Sequence, residues 1–222
     1  MAVNREVYLK LADELKQKNV SLVAVSKTKP PEDILALYHL GHTDFGENYI
    51  QELAEKQKEL PADIRWHFIG HLQSNKVKII APFIHLIHGV DSLKLLSEIN
   101  KQGIRNNRVI DCLLQVHIAQ EETKFGFSEE ELAAAISQLP AMQLNNIKVT
   151  GLMGMASFTE DEGKIRGEFH YLKSLFDKHV QSVHTMKTLS MGMSSDYKIS
   201  IGEGSNMVRI GSLLFGERVY NK

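Results

Sequence analysis

The sequence predicts an α/β protein formed by a single (β/α)8 barrel of the TIM type with an extra N-terminal helix. Short apolar runs with the alternation of strands are separated by amphipathic helical segments, a pattern typical of parallel strands joined by helices. Eight such units fit into 222 residues, and eight parallel strands close a barrel. No linker, low-complexity tract or internal repeat interrupts the pattern, so we expect one domain over residues 1–222.

The predicted strands are short runs rich in apolar residues. In the first, at 21–27, Val23 and Val25 alternate with smaller residues, and Pro30 and Pro31 follow it and cannot continue a ladder. The other seven lie at 43–47, 65–70, 86–90, 111–119, 149–157, 188–193 and 207–210. Because short apolar runs are easily miscounted, an open sheet of six strands is the alternative to the barrel.

Helices are predicted where apolar residues recur at helical spacing. The first covers 3–18, where Val7, Leu11 and Leu15 lie four residues apart. Five more are predicted at 31–41, 49–60, 76–80, 91–99 and 161–180. A further helix begins at Ser128, where Ser128 and Glu131 have the spacing of a capping box. The loop before it, at 120–127, is long, and long loops at strand ends often carry function.

Composition excludes several classes of protein. Basic and acidic residues number 26 and 27, which removes the electrostatic argument for a nucleic-acid or membrane partner. A single cysteine, Cys112, allows no internal disulfide and indicates a reducing compartment. There is no signal segment and no stretch as long as a membrane span, so we expect a cytoplasmic protein. We also expect a monomer, since no heptad pattern or long apolar helix face demands a partner.

Lys27 is the first candidate functional residue. It lies at the C-terminal end of the first predicted strand, where α/β proteins usually place their chemistry. Partial burial beside Val25 would lower the pKa of its amine and keep some of it neutral, as a Schiff-base lysine requires. The alternative is an ordinary solvated lysine.

The other strand ends would bring polar and small residues to the same mouth as Lys27. They are Asn48, Met155, Ser157, Ser194, Ser195, Arg209, Gly211 and Ser212. The serines and glycines after the last two strands have the character of a phosphate site, although two tight turns would have the same composition. Arg209 interrupts an apolar strand and needs a partner, either a carboxylate such as Glu203 or Glu217 or an acceptor on a ligand. A lysine opposite a phosphate site points to pyridoxal 5′-phosphate (PLP).

Seven sequence motifs occur in an order that matches a known family. They lie at residues 25–30, 45–49, 66–76, 123–126, 151–155, 190–194 and 208–211. With these motifs the chain resembles the pyridoxal phosphate homeostasis proteins, also called the YggS/PROSC family. The resemblance implies the barrel of the fold-type III PLP proteins, similar to the N-terminal domain of alanine racemase.

The resemblance also implies a role for each matching residue. Lys27 would form an internal aldimine with PLP, and Arg209 would face the pyridine nitrogen. Ser194, Gly211 and Ser212 would hold the phosphate, with Asn48 and Met155 near the ring. The chain departs from the family at Asn206, where threonine is usual, so we assign that position no role.

The resemblance implies a PLP carrier or buffer that acts in PLP homeostasis, without efficient catalysis, and passes PLP to apoenzymes. An arginine against the pyridine nitrogen leaves the ring a weak electron sink, and no second domain is expected after the eighth unit to supply a second base. The alternative is a small PLP-dependent amino-acid racemase, with Lys27 as one base and His67 as the other. A metal enzyme using His67 with His71, or His85 with His88, lacks supporting ligands, so we assign no metal site.

Overall fold

A computed structural model describes residues 3–119 and 125–216, and its strands form one closed, parallel barrel. The strands are β1 (Ser21–Val25), β2 (Asp44–Glu47), β3 (Arg65–Phe68), β4 (Leu86–Val90), β5 (Ile110–Gln115), β6 (Ile147–Met153), β7 (Thr188–Ser190) and β8 (Met207–Ile210). Each strand pairs with its sequence neighbours, and β8 pairs with β1 to close the ring. The predicted (β/α)8 barrel is therefore confirmed, and the open six-stranded sheet is wrong.

Helices surround the barrel. They are α1 (Arg5–Gln17), α2 (Pro31–Tyr38), α3 (Ile50–Glu59), α4 (Val77–Ile80), α5 (Leu93–Arg105), α6 (Glu129–Gln138), α7 (Glu162–His179), α8 (Tyr197–Gly202) and α9 (Ser212–Phe215). One helix follows each strand, and α1 is the predicted extra helix before β1. In the part of the chain that the structure describes, no helix is both long and apolar enough to cross a membrane.

Side-chain caps explain where several helices begin. The side-chain oxygen of Asn4 accepts a hydrogen bond from the backbone N–H of Val7, and Ser92 caps α5 in the same way. The predicted capping box of α6 is present. The Glu131 N–H donates to the Ser128 hydroxyl at 3.2 Å, and the Ser128 N–H donates to the Glu131 carboxylate at 2.9 Å.

Several predicted boundaries were wrong at the C-terminal ends of strands. The predictions at 111–119, 149–157 and 188–193 are longer than β5, β6 and β7. After β7 the chain turns at Gly192, whose φ of +96° suits glycine and where an added Cβ would lie 2.0 Å from the Ser200 hydroxyl. The predicted segments also lacked α8 and α9. The predicted loop at 120–127 lies outside the described residues for 120–124.

Buried apolar residues form two separate clusters in the described structure. A large apolar core lies between the strands and the helices, with Phe45, Phe68 and Phe169 fully buried in it. A small separate cluster of Leu86, Leu113 and Met153 faces the inside of the barrel. Polar side chains share that inner space, and they are His67, His88, Ser190 and Arg209. TIM barrels usually fill this space with branched aliphatic residues, so the polar content is unusual.

Close backbone contact between β6 and β7 gives a matched pair of stability tests. A Cβ on Gly151 would lie 1.7 Å from the carbonyl oxygen of Thr188, whereas a Cβ on Gly167, at an exposed position of α7, would meet nothing within 4 Å. We expect Gly151→Ala to lower the free energy of unfolding by more than about 2 kcal/mol. Gly167→Ala should raise it by about 1 kcal/mol through helix propensity. Urea titration measures both, and equal effects would contradict the packing argument.

Candidate functional site

The carboxyl ends of the strands surround a cavity of about 430 Å³. Every residue that we predicted as a cofactor ligand lines it, namely Lys27, Asn48, Met155, Ser194, Arg209, Gly211 and Ser212. Lys29, Ile69, Phe158 and Met193 also line it and were not assigned from the sequence. Phe158 is 94% exposed, so one side of the opening carries a solvated aromatic ring.

Lys27 lies in a tight turn directly after β1 and is half-buried. The turn is closed by the backbone N–H of Lys29, which donates to the carbonyl of Ser26 at 3.0 Å. Thr28 takes a φ of +64°, a left-handed conformation that non-glycine residues adopt at a cost. Such a conformation persists only where surrounding contacts fix it.

A buried group of polar side chains under this turn supplies those contacts. The Lys56 ammonium donates to the Ser26 carbonyl at 2.8 Å, to Glu47 at 2.7 Å and to Glu52 at 2.6 Å. Glu52 in turn accepts the backbone N–H of Thr28 at 2.6 Å, and Glu47 accepts the Ser26 hydroxyl at 2.7 Å. Side chains of α3 therefore hold the backbone on both sides of Lys27, and Glu47 of β2 holds the Ser26 side chain.

Glu47 is the member of this group whose burial is energetically most unfavourable for the charged form. Its carboxyl is fully buried, and burial raises its pKa to about 7, against the opposing effect of the Lys56 charge and the hydrogen bonds from Lys56 and Ser26. One of its oxygens, Oε2, has no hydrogen-bond partner among the described residues. A carboxyl this poorly solvated depends on Lys56 to compensate its charge.

Arg209 reaches the cavity from inside the barrel and is 4% exposed. Its guanidinium donates to the Ser190 hydroxyl at 2.6 Å and to the Gly154 carbonyl at 3.1 Å. The suggestion that Glu203 pairs with Arg209 is wrong, because Glu203 bonds Arg166 and His170 at the surface. Glu217 lies outside the described residues. Burial lowers the pKa of Arg209 to about 10, so the group is still protonated at neutral pH.

The loops after β7 and β8 meet at the cavity. The backbone N–H of Gly211 donates to the Ser194 hydroxyl at 3.2 Å. The short helix α9 begins at Ser212, and the backbone N–H groups of Leu214 and Phe215 donate to the Gly211 carbonyl at 2.9 and 3.0 Å. Hydroxyl and N–H groups are thus concentrated at this wall, which suits an anion.

Of the remaining residues singled out in the sequence, Asn48 lines the cavity, whereas Ser157 and Asn206 bond other parts of the chain. Asn48 lines the cavity, and its buried side-chain oxygen has no hydrogen-bond partner within the described residues. Ser157 was expected at the mouth, but its hydroxyl and N–H both donate to Glu168 of α7, at 2.6 Å each. Asn206 bonds the Leu189 N–H at 2.8 Å and the Lys187 carbonyl at 2.6 Å, so it ties β8 to the start of β7.

His67, the suggested second base, does not line the cavity. It is 1% exposed inside the barrel, where its ring nitrogens bond His88 at 2.9 Å and Asp44 at 3.0 Å. Asp44, His67 and His85 have possible metal-ligating atoms within 4.8 Å of one another, the one such grouping in the described ranges. Asp44 is also paired with Arg65, a cation that competes with any metal ion.

The charged side chains that line the cavity are all basic. They are Lys27, Lys29 and Arg209, and no acidic residue of the described chain is among the lining residues. Lys29 donates to the Phe215 carbonyl at 2.8 Å, which links the turn after β1 to α9. The cavity therefore favours a ligand that carries negative charge.

Comparisons with known proteins agree on one group of relatives. A family model described as the alanine racemase N-terminal domain matches residues 5–219. The chain is 42% identical over 201 residues to a pyridoxal phosphate homeostasis protein of Aquifex aeolicus, with 90% of this chain and 87% of that protein covered. It is 38% identical over 214 residues to the human protein of that name, with 90% and 78% covered.

Solved structures show the same likeness. PipY of Synechococcus elongatus, with PLP bound, is 32% identical with a TM-score of 0.83, and the match covers 95% of this chain and 100% of that one. An alanine racemase from Bartonella henselae is 17% identical with a TM-score of 0.72, and the match covers 96% of this chain and 59% of that one. At this identity the racemase shares the fold alone.

The buried group under the Lys27 turn predicts a large loss of stability when its cation is removed. Lys56→Met should lower the free energy of unfolding by about 3 kcal/mol, because Glu47 and Glu52 lose their shared partner. Lys58→Met, at an exposed position of the same helix, should change it by less than about 0.5 kcal/mol. Urea titration of both variants provides the comparison. Equal stabilities of the two variants would show that the cluster does not support the turn.

Proposed function

The chain belongs to the pyridoxal phosphate homeostasis proteins, within the alanine racemase N-terminal domain family, and we propose that it binds PLP covalently through Lys27. We propose further that it acts as a carrier or buffer that keeps PLP available to PLP-dependent apoenzymes. The observation that carries this proposal is a cavity lined together by a lysine, a buried arginine and a group of serine hydroxyls and glycine backbone. A solved relative with PLP bound, at 32% identity, supports it.

The residues present suit the chemistry of PLP. The guanidinium of Arg209 can only donate, which matches an acceptor such as a pyridine nitrogen. Ser194, Ser212 and the N–H groups around Gly211 match phosphate oxygens. The side-chain oxygen of Asn48, buried without a partner in the described structure, leaves hydrogen-bonding capacity on this wall, and Met155 adds an apolar contact. A volume of about 430 Å³ lies within the range of small-molecule sites.

Lys27 would provide the covalent attachment. Its amine adds to the aldehyde carbon, a C=N bond replaces the C=O bond, and the aldehyde oxygen leaves as water. When bound, PLP supplies an electron-withdrawing ring that can stabilise a carbanion. The turn held by Glu52 and Lys56 fixes the backbone from which the Lys27 side chain extends into the cavity.

Two features favour a carrier over an amino-acid racemase. Arg209 keeps its proton at neutral pH and cannot accept one from the ring, so the ring would stay neutral and would be a poor electron sink. Racemisation also needs a second base on the opposite face of the substrate. No histidine or tyrosine in the described ranges lines the cavity, and His67 is occupied by Asp44 and His88.

Mass spectrometry after borohydride reduction tests the covalent attachment. Protein loaded with PLP and reduced should carry one adduct, located by peptide mapping to Lys27. Lys27→Ala should lose the adduct, and its visible absorbance should match that of free PLP. Lys29→Ala is the matched control, because it removes the neighbouring amine of the same cavity and should leave the adduct on Lys27. An adduct on Lys29, or none in the unaltered protein, would contradict the proposal.

Exchange of the α-hydrogen of amino acids in D₂O separates the carrier from the racemase. We expect loaded protein to exchange this hydrogen no faster than an equal concentration of free PLP, because no histidine or tyrosine of the described chain lines the cavity and Arg209 would leave the pyridine ring unprotonated. NMR of several amino acids, with Lys27→Ala run in parallel, measures the rate. Steady exchange that disappears in Lys27→Ala would instead identify a PLP enzyme.

A further inference from the structure

A line of hydrogen-bonded side chains leads from Arg209 through the barrel interior to the start of β2. Arg209 donates to the Ser190 hydroxyl at 2.6 Å, and that hydroxyl lies 3.1 Å from Nδ1 of His88. Nε2 of His88 lies 2.9 Å from Nδ1 of His67, and Nε2 of His67 lies 3.0 Å from Asp44. Four consecutive contacts within hydrogen-bond range therefore connect the cavity to the opposite, N-terminal half of the barrel.

These polar side chains occupy the interior space that TIM barrels usually fill with apolar side chains. Ser190 and His88 are 0% exposed, and His67 is buried between them and Asp44. Buried polar networks add little stability compared with well-packed hydrophobic residues, and a partly satisfied one costs more than an apolar core. The chain of contacts thus calls for an explanation other than stability.

The end at Arg209 leaves the Ser190 proton available for one arrangement of protons among neutral groups. Arg209 has no acceptor atom, so it must donate to Ser190. The Ser190 hydroxyl keeps its own proton, which it can donate to His88 where Nδ1 of that ring is unprotonated. A neutral His88 with a bare Nδ1 carries its proton on Nε2 and donates it to Nδ1 of His67. His67, by the same argument, donates from Nε2 to Asp44.

At the other end of the chain, Asp44 determines the direction in which these hydrogen bonds run. Asp44 also accepts two hydrogen bonds from Arg65, one of them at 2.7 Å from Nε. Burial by itself would raise the pKa of Asp44, but the hydrogen bonds from Arg65 and His67 outweigh it and hold that pKa well below its usual range. The carboxylate is therefore ionised and can only accept. Burial also lowers the pKa of His88 strongly, which agrees with a neutral ring.

We propose that Ser190, His88, His67 and Asp44 form a one-directional chain of hydrogen bonds that positions the Arg209 guanidinium at the cavity. Because its single proton is directed to His88, the Ser190 hydroxyl presents a lone pair to Arg209 and holds that group in one orientation. The four residues act through Arg209 and are positioning residues. The proposal rests on the proposed function in one respect, that Arg209 contacts the bound PLP.

Nitrogen NMR of the histidine rings in PLP-free protein tests the direction of the chain. We expect both His67 and His88 to be neutral and protonated on Nε2 at neutral pH, with signals assigned from His67→Gln and His88→Gln. In Ser190→Ala the Nδ1 signal of His88 should shift, because it loses the hydroxyl proton. A charged His67, or a proton on Nδ1 of His88, would overturn the proposal. This measurement needs no PLP, so it is independent of the proposed function.

PLP affinity tests the positioning of Arg209. Ser190→Ala should weaken PLP binding about fivefold, the effect of one net hydrogen bond, while the reduced adduct still maps to Lys27. Ser205→Ala is the matched control, since this serine is also buried and its hydroxyl bonds only backbone carbonyls near β7 and β8. It should change the affinity by less than about twofold. Equal affinities of Ser190→Ala and the unaltered protein would show that the chain does not position Arg209.

Discussion

A permanent positive charge inside the barrel determines much of this structure. The guanidinium of Arg209 is almost completely buried, and its pKa, although lowered by burial to about 10, keeps it charged at neutral pH. No carboxylate of the described chain bonds it directly. It is satisfied instead by a hydroxyl and a carbonyl, and the hydroxyl is linked through two buried histidines to Asp44. The donors of Arg209 at the cavity are thereby fixed in place before any ligand arrives.

On another wall of the cavity, a buried group of side chains holds the short turn that carries the flexible Lys27 side chain. Glu52 and Lys56 bond the backbone on the two sides of Lys27, Glu47 accepts the Ser26 hydroxyl, and Thr28 keeps its left-handed conformation as a result. A fixed donor on one wall and a fixed lysine on the other set the span that a ligand must bridge. In a carrier, such prearrangement lowers the ordering cost of binding without adding catalytic groups.

The sequence was sufficient for the barrel and for most of the residues expected at its mouth, although not for Ser157, because strand alternation and the strand-end rule depend on local pattern alone. It was insufficient for α8 and α9, which have six and four residues and are too short to show helical periodicity. The partners of Arg209 could not be predicted either. Gly154 lies 55 residues away in sequence, and Ser190 meets His88 across 102 residues. Their contact depends on which strand faces which inside the closed barrel.

The basic lining of the cavity has a kinetic consequence. The protein as a whole is nearly neutral, with a formal charge of −1, yet Lys27, Lys29 and Arg209 concentrate positive potential at one opening. An approaching phosphate ester is then attracted over roughly the Debye length, about 8 Å at physiological ionic strength, and is steered toward the mouth. Capture would be fast in dilute buffer and slower as salt is added, while release would depend on the contacts inside the cavity.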